Sequence, residues 1–372
     1  MRSSILRPLL ALACLFIGWA HSMDLDDIDL QDIKASKVLK MIPAGKPGSC
    51  ADEPMDQILQ DAATLAKNAV EAIETLLEGY KIENTDENVK ILNMAYISFG
   101  VKYDMYDDCN DPELDPKKPM PLVITEGRRR LQTVTYNFQG LLGKLISGKR
   151  RLKMECGDED LRKVTTLGDL GLRPKEKTIK AYQAEMDPIK KTTDADVVGY
   201  YLSKYFSPQV KPGVYDMSTV VLAPWDKPKT FAMDNPCQRI GGFYSEDAYL
   251  MMICRRKFRL KSLKQAIKDQ AHITERSNLY RALDEEETPS SVFLHEAMHW
   301  INPKIDDVFF RPEGYKQEVG AYGSYLCRLL AFDKRRVEDT VINADSYKMF
   351  AKGVTLNKID WYPRGYERNT GM

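Results

Sequence analysis

The chain has 372 residues, and its 54 lysines and arginines are balanced by 54 aspartates and glutamates. A chain of this length forms one large domain or two modest ones. Its formal net charge of zero excludes an overall field that would recruit nucleic acid or an anionic membrane, so we expect neither as a partner.

Residues 1–22 have the pattern of a secretory signal peptide. Arg2 and Arg7 precede the apolar run LLALACLFIGWA, and the triplet AHS ending at Ser22 offers a cleavage site between small residues. The apolar run is too short to span a membrane, and no later stretch approaches the length of a span. We therefore expect a soluble, secreted, extracellular protein that has no membrane contact after cleavage.

The cysteines suggest a disulfide framework. Of the seven cysteines, Cys14 lies in the signal segment, and an even number remains in the exported chain, which suggests three disulfides. Cys237 with Cys254 is the first pairing we expect. The remaining cysteines are Cys50, Cys109, Cys156 and Cys327. The sequence contains no Asn-x-Ser/Thr site, so we expect no N-linked glycan.

The N-terminal part is predicted to be mainly helical. Residues 23–48 are acidic and then contain proline and glycine, so we expect a flexible leader or short pro-segment. Apolar residues at helical spacing predict helices over Asp52–Leu77 and Glu87–Val101. Residues 107–121 hold four prolines and many acidic residues and are predicted to form a loop.

The middle of the chain gives weaker patterns. The basic clusters 128–130 and 149–151 are expected to be solvated surface, with processing sites as the alternative. The run Val197–Phe206 predicts a helix, whereas Ser218–Leu222 and Tyr249–Cys254 predict strands. We therefore expect a helix-rich α+β fold, with residues 49–362 as one domain and residues 363–372 as a C-terminal tail.

The motif that carries chemistry is HEAMH, from His295 to His299. Histidines at this spacing lie on one face of a helix, so both imidazoles can reach one metal ion. Glu296 lies beside them, where its carboxylate can take a proton from water. Thr288 followed by Pro289 predicts the start of the helix. The alternative, a helix with incidental histidines, is disfavoured because the chain has only four histidines.

A catalytic zinc ion needs a third protein ligand and one open position. A third histidine at the spacing of one zinc-peptidase class would stand at residue 305, which is an isoleucine. His272 lies in an upstream basic stretch and is disfavoured. A carboxylate is left, and Glu318 is the first choice because 18 residues separate it from the motif, the spacing of glutamate-ligand zinc peptidases. Asp307 and Asp306 are the alternatives.

Several segments resemble the aspzincins, secreted fungal zinc metallopeptidases of the deuterolysin and lysine-specific endopeptidase type. The resemblance covers residues 240–352 best. The segments that carry it are ICRRKF at 253–258, HEAMH at 295–299, AYG at 321–323 followed by Cys327 and the LA pair at 330–331, and NADSY at 343–347. It implies a zincin-like fold, in which a small sheet supports an active-site helix, and one zinc ion per chain.

The resemblance also implies roles for individual residues. His295 and His299 would be metal ligands, Glu296 the general base, and Tyr322 a hydrogen-bond donor to the oxyanion. The family's third ligand is an aspartate three residues before that tyrosine, where this sequence has valine, and Glu318 stands one residue earlier. The sequence thus looks like that of a divergent relative, and the family's preference for lysine is not assumed.

The first hypothesis is therefore a secreted, monomeric zinc metalloendopeptidase that acts on proteins or peptides. The alternative is a catalytically silent, zincin-like secreted binding or effector protein, which the imperfect third-ligand motif favours and the intact Glu296 disfavours. A carbohydrate-binding module is a third possibility, but four tryptophans, with Trp19 in the signal segment, offer few rings for sugar stacking.

Overall fold

The computed structural model describes residues 28–106, 118–164, 197–203, 205–206, 220–224, 237, 240–246, 248–270, 283–356, 358 and 361. About half of these residues are helical and the strands form small sheets, so the α+β class is confirmed. The signal segment 1–22, the core of the proline-rich loop, His272 and the tail 363–372 lie outside the described residues. The zincin-like architecture stays a prediction.

The helices and strands of the described ranges are numbered in chain order. The helices are α1 (Ala35–Val38), α2 (Met55–Leu77), α3 (Asp86–Phe99), α4 (Arg128–Ser147), α5 (Arg255–Phe258), α6 (Leu263–Asp269), α7 (Pro289–Ile301), α8 (Gly323–Phe332) and α9 (Ala344–Thr355). The strands are β1 (Leu39–Met41), β2 (Lys102–Met105), β3 (Leu122–Glu126), β4 (Leu152–Cys156), β5 (Leu161–Val164), β6 (Val197–Ser203), β7 (Val220–Pro224), β8 (Gly242–Ser245), β9 (Leu250–Ile253), β10 (Phe309–Phe310) and β11 (Val319–Gly320). Thus α2, α3 and β9 confirm the expected elements, and the expected strand at 218–222 corresponds to β7.

A four-stranded mixed sheet supports the rest of the molecule. Its strand order is β1-β4-β9-β8, with β1, β4 and β9 parallel and the edge strand β8 antiparallel to β9. Every residue of β9 is buried, as is usual for a strand that is covered on both faces. The sheet is therefore covered by other parts of the molecule, and α7 packs against β8 and β9.

Helix α2 forms the centre of the helical layer. Its buried stripe repeats at helical spacing and includes the fully buried Ala62, Ala66 and Ala69, whose small side chains allow close approach of neighbouring helices. It packs against α4, α7 and α9, and α7 in turn contacts β8 and β9. Helix α7 is thus held between the helical layer and the sheet. No helix of the described ranges is long and apolar enough to cross a membrane.

Residues 197–203 form a strand, so the helix expected over Val197–Phe206 is wrong. Strand β6 lies between β5 and β7 in a three-stranded antiparallel sheet. The run VVGYYLS is rich in β-branched and aromatic residues, which fit a pleated sheet. Pairing on both sides, which is a long-range property, decides between the two conformations.

The N-terminal segment also differs from the flexible leader expected over residues 23–48. Strand β1 pairs in parallel with Leu152–Met154 of β4. The side chains of Ile33, Val38 and Leu39 are buried in the main core. Burial of apolar side chains stabilises this segment in the fold, so residues 28–48 belong to the folded domain.

Two arginines of the basic cluster 128–130 have a structural role, whereas Arg129 is exposed as expected for the cluster. Arg128 donates hydrogen bonds to the carbonyls of Leu77 and Gly79 at the end of α2. Arg130 is buried and donates to the carbonyls of Phe99 and Gly100 at the end of α3. Both arginines therefore satisfy carbonyls that a helix leaves unpaired at its C-terminus. Residues 149–151 are exposed, as expected.

Among the described residues there are two disulfides, Cys50–Cys156 and Cys237–Cys254. The second is the pairing expected from the sequence. Cys327 is a buried free thiol whose Sγ donates to the carbonyl of Ala321 at 3.2 Å, so the expectation of three disulfides fails at this residue. Cys109 lies outside the described residues.

The role of β1 is tested by a pair of neighbouring substitutions. Leu39→Ala removes a side chain that is 1% exposed and is expected to lower the free energy of unfolding by about 2–5 kcal/mol. Lys40→Ala, at an exposed position of the same strand, is expected to change it by less than about 0.5 kcal/mol. Urea denaturation of both variants measures the difference. Equal stability of the two variants would contradict a place for β1 in the core.

Candidate metal centre

Helix α7 begins where the sequence predicts. The Thr288 side chain accepts a hydrogen bond from the Ser291 amide at 3.1 Å, and the Ser291 hydroxyl accepts one from the Thr288 amide at 3.0 Å. Pro289 occupies the first helical position, where it has no amide hydrogen to leave unpaired. This reciprocal cap fixes the start of the helix and therefore the direction in which its side chains point.

Most of α7 is buried, including the first two residues of the HEAMH motif. Its apolar residues from Val292 to Met298 are buried on several sides, and His295 and Glu296 are only 8% and 5% exposed. The ligand atoms of His295, Glu296 and His299 lie within 4.8 Å of one another. These three side chains form a group that can hold a metal ion.

Each histidine has its Nδ1 atom engaged on the side away from this group. The Nδ1 atom of His299 lies 2.8 Å from the carbonyl oxygen of Ile305, and that of His295 lies 2.8 Å from Oδ1 of Asp345. The carbonyl of Ile305 accepts the hydrogen on Nδ1 of His299 and leaves the lone pair of its Nε2 available for a metal. The carboxylate of Asp345 favours a proton on Nδ1 of His295 electrostatically, through a contact that is short but not aligned as a hydrogen bond. Both rings are therefore oriented as ligands.

The Nε2 atoms of both rings face the carboxylate of Asp307. Its Oδ1 atom is 3.2 Å from Nε2 of His295 and 3.7 Å from Nε2 of His299. Asp307 reaches this position because the chain turns back after α7. There the Asp306 amide donates to the carbonyl of Ile342 at 2.7 Å, and the Ala344 amide donates to the carbonyl of Asp306 at 3.0 Å.

The other carboxylates named from the sequence lie elsewhere. Asp306 is exposed, and its Oδ1 accepts a hydrogen bond from the Asp307 amide. Glu318 is exposed, just before β11. Within the described part of the chain, the ion-pair contacts of the two histidines are with Asp307 and Asp345. The identity of the third ligand stays a prediction, and the geometry favours Asp307, the first alternative, over Glu318.

Tyr322 lies beside the metal-ligand group. Its ring centroid is 6.3 Å from that of His295 and 6.3 Å from that of Phe309. A Cβ atom at Gly320 would collide with the Tyr322 ring, so the ring packs directly on the backbone of β11. The ring of Tyr322 thus lies next to that of His295.

Asn343 connects three segments around the site, a role that the sequence reasoning did not find. Its Oδ1 accepts from the Val308 amide at 3.2 Å, and its Nδ2 donates to the carbonyl of Ala321 at 3.1 Å and to the hydroxyl of Ser346 at 3.0 Å. Its place at the head of the NADSY segment is the only sequence signal for it. Through these bonds Asn343 holds Asp307 and Tyr322 on the same side of α7.

The electrostatics favour positive charge in the middle of the group. Burial by itself lowers the pKa of His295, but the carboxylates of Asp307 and Asp345 outweigh it and raise that pKa to about 10. Burial raises the pKa of Glu296. The pKa of Asp307 is lowered although burial opposes this, because the two histidines attract the ionised form. A cation is therefore stabilised between these side chains.

The donor set fits a divalent metal ion. Oδ1 of Asp307 is buried, and none of the described residues provides an aligned hydrogen-bond donor for it. An unpaired buried carboxylate oxygen is costly unless a cation meets it. Atoms bound tetrahedrally at about 2.1 Å from zinc stand about 3.4 Å apart, close to the 3.2 Å and 3.7 Å that separate Oδ1 from the two nitrogens.

Comparison with known proteins adds no relative to this picture. No family model matches the chain, and no curated protein or solved structure is significantly similar to it. The site is therefore interpreted from the geometry and chemistry of its own residues.

The third ligand is tested by two matched carboxylate-to-amide substitutions. The affinity for Zn²⁺ is measured by chelator competition. Loss of a residue that only hydrogen-bonds to a ligand typically weakens metal binding by about 10- to 100-fold, and Asp307→Asn is expected to weaken it by more than this. Glu318→Gln is expected to leave the affinity near that of the wild type, because Glu318 is exposed and away from the histidines. The reverse order of the two effects would restore Glu318 as the ligand.

Proposed function

We propose that this chain is a secreted zinc-dependent metalloendopeptidase that binds one zinc ion per chain and hydrolyses peptide bonds in proteins or peptides. The proposal is supported above all by the convergence of the Nε2 atoms of His295 and His299 on Asp307 beside Glu296. Three protein ligands with a nearby carboxylate is the composition of a catalytic rather than a structural zinc site.

In this proposal His295, His299 and Asp307 hold the metal, which activates water and polarises the scissile carbonyl when bound. Glu296 takes the proton of the attacking water and passes it to the leaving amine. Its burial raises its pKa, which makes the carboxylate a better base than an exposed glutamate. Tyr322 donates a hydrogen bond to the oxyanion that develops on the substrate.

Gly242 on the edge strand gives Glu296 its room. A Cβ atom at this position would lie 3.2 Å from Oε1 of Glu296 and 2.7 Å from the carbonyl oxygen of Met252. The carboxylate thus packs against backbone, which limits the positions that it can take. A confined base is held in the geometry that proton transfer needs.

Two coarser features agree with the proposal. A small mixed sheet with an antiparallel edge strand contacts the motif helix, as the resemblance to the aspzincins leads us to expect. Two disulfides suit an oxidising extracellular compartment. We therefore also propose that the chain is a divergent, secreted member of the aspzincin type, with Asp307 in place of the family's aspartate ligand.

The role of the base is tested by Glu296→Gln. This variant is expected to bind Zn²⁺ with wild-type affinity and to lose peptide hydrolysis by about 100-fold or more, because the amide cannot accept the proton. The measurement is cleavage of an unfolded protein followed by mass spectrometry, with bound zinc determined in parallel. Zinc-loaded wild-type protein that cleaves nothing would favour the silent binding or effector protein instead.

The role of Tyr322 is tested by Tyr322→Phe, which removes only the hydroxyl. We expect kcat to fall by about 100- to 1,000-fold while KM and zinc affinity change little, since an oxyanion donor acts in the transition state. Tyr325→Phe is the matched control, because Tyr325 is an exposed tyrosine one turn along α8. An equal effect of both substitutions on kcat would contradict the assignment.

A further inference from the structure

The carboxylate of Asp345 connects three parts of the site. Asp345 is 1% exposed, and its Oδ1 lies 2.8 Å from Nδ1 of His295 and 2.6 Å from Nζ of Lys348. Its Oδ2 accepts a hydrogen bond from the amide of Gly323 at 2.5 Å, directly after Tyr322 in the chain. One side chain therefore fixes a metal ligand and the peptide next to the oxyanion donor.

Lys348 is the cation that pairs with this carboxylate. It stands one turn after Asp345 on α9, and its side chain is 12% exposed. Its second acidic neighbour, Glu287, is farther away, at 3.8 Å, and is itself paired with Lys257. The Asp345–Lys348 contact is thus the short and largely buried one, and removal of one partner would leave a buried charge uncompensated.

We propose that Lys348 is a positioning residue for the metal ligand His295 and that it acts through Asp345. Lys348 and His295 both contact Oδ1 of Asp345, so the ammonium holds the carboxylate close to Nδ1 of the ring. Without Lys348 the carboxylate is free to turn, and the His295 ring loses the partner that directs Nε2 to the metal. This inference rests on the proposed metal site.

Lys352 provides a control within the same helix. Its side chain is also buried, but its Nζ donates to the carbonyl of Leu283 at 2.6 Å instead of to Asp345. Lys348→Met and Lys352→Met remove the same group and leave the same side-chain length. A general effect of losing a buried ammonium from α9 would therefore be similar in the two variants.

The test is the Zn²⁺ affinity of the folded variants, measured by chelator competition after circular dichroism has established the folded temperature range. We expect Lys348→Met to weaken zinc binding by about 10- to 100-fold, Lys348→Arg to recover part of the loss, and Lys352→Met to bind like the wild type. Equal zinc affinity of Lys348→Met and the wild type would overturn the inference, as would equal losses in the two methionine variants.

A double-mutant cycle tests whether Lys348 acts through Asp345. If the single variant Lys348→Met does not fold, the comparison of Asp345→Asn with the double variant remains informative. In the Asp345→Asn background, which has no carboxylate to orient, Lys348→Met is expected to cause no further loss of zinc affinity. A further 10-fold loss there would overturn the inference. The proposed function fails separately: wild-type protein that binds no Zn²⁺ overturns the metal site itself, whereas wild-type binding with unaffected variants overturns only the role of Lys348.

Discussion

The main constraint on this structure is that α7 brings ionisable side chains into a packed core. A buried charge is tolerated only where it is paired or meets a metal, and the surroundings of His295 and Glu296 satisfy that demand. Two carboxylates approach His295 from opposite sides, one at each ring nitrogen. Because this pairing places the polar atoms, the geometry of the site is defined before any ligand binds.

Much of the motif helix could be predicted because its signals are local. The Thr288 cap, the proline after it and the spacing of His295 and His299 all act within a few turns of one helix, and the structure reproduces each of them. The same holds for the disulfide Cys237–Cys254, which closes a short loop around the hairpin of β8 and β9. Local rules are reliable where the chain needs no distant partner to satisfy them.

The sequence-based predictions that were wrong concern segments whose structure depends on distant parts of the chain. The sequence of residues 197–203 favours a helix when it is considered alone, but β5 and β7 supply backbone pairing partners on both edges of the strand. Residues 28–48 contain two prolines and six charged side chains, yet their apolar side chains reach the core because β1 pairs with β4, far along the chain. In neither segment does the local sequence indicate the strand with which it pairs. Local composition alone therefore predicts neither of the two strands.

The carboxylate nearest to the two histidines illustrates the same limit at the site itself. Spacing rules place a distant ligand on a second helix, which leads to Glu318. In the structure the carboxylate nearest the histidines comes from the turn directly after α7, and a short bridge from Asp306 to Asn343 holds it there. That bridge also brings Asp345 to the far side of His295, since Asp345 starts α9 just after Asn343. One pairing between distant backbone segments thus positions both carboxylates, and a rule based on helix spacing alone does not predict the position of Asp307 beside the histidines.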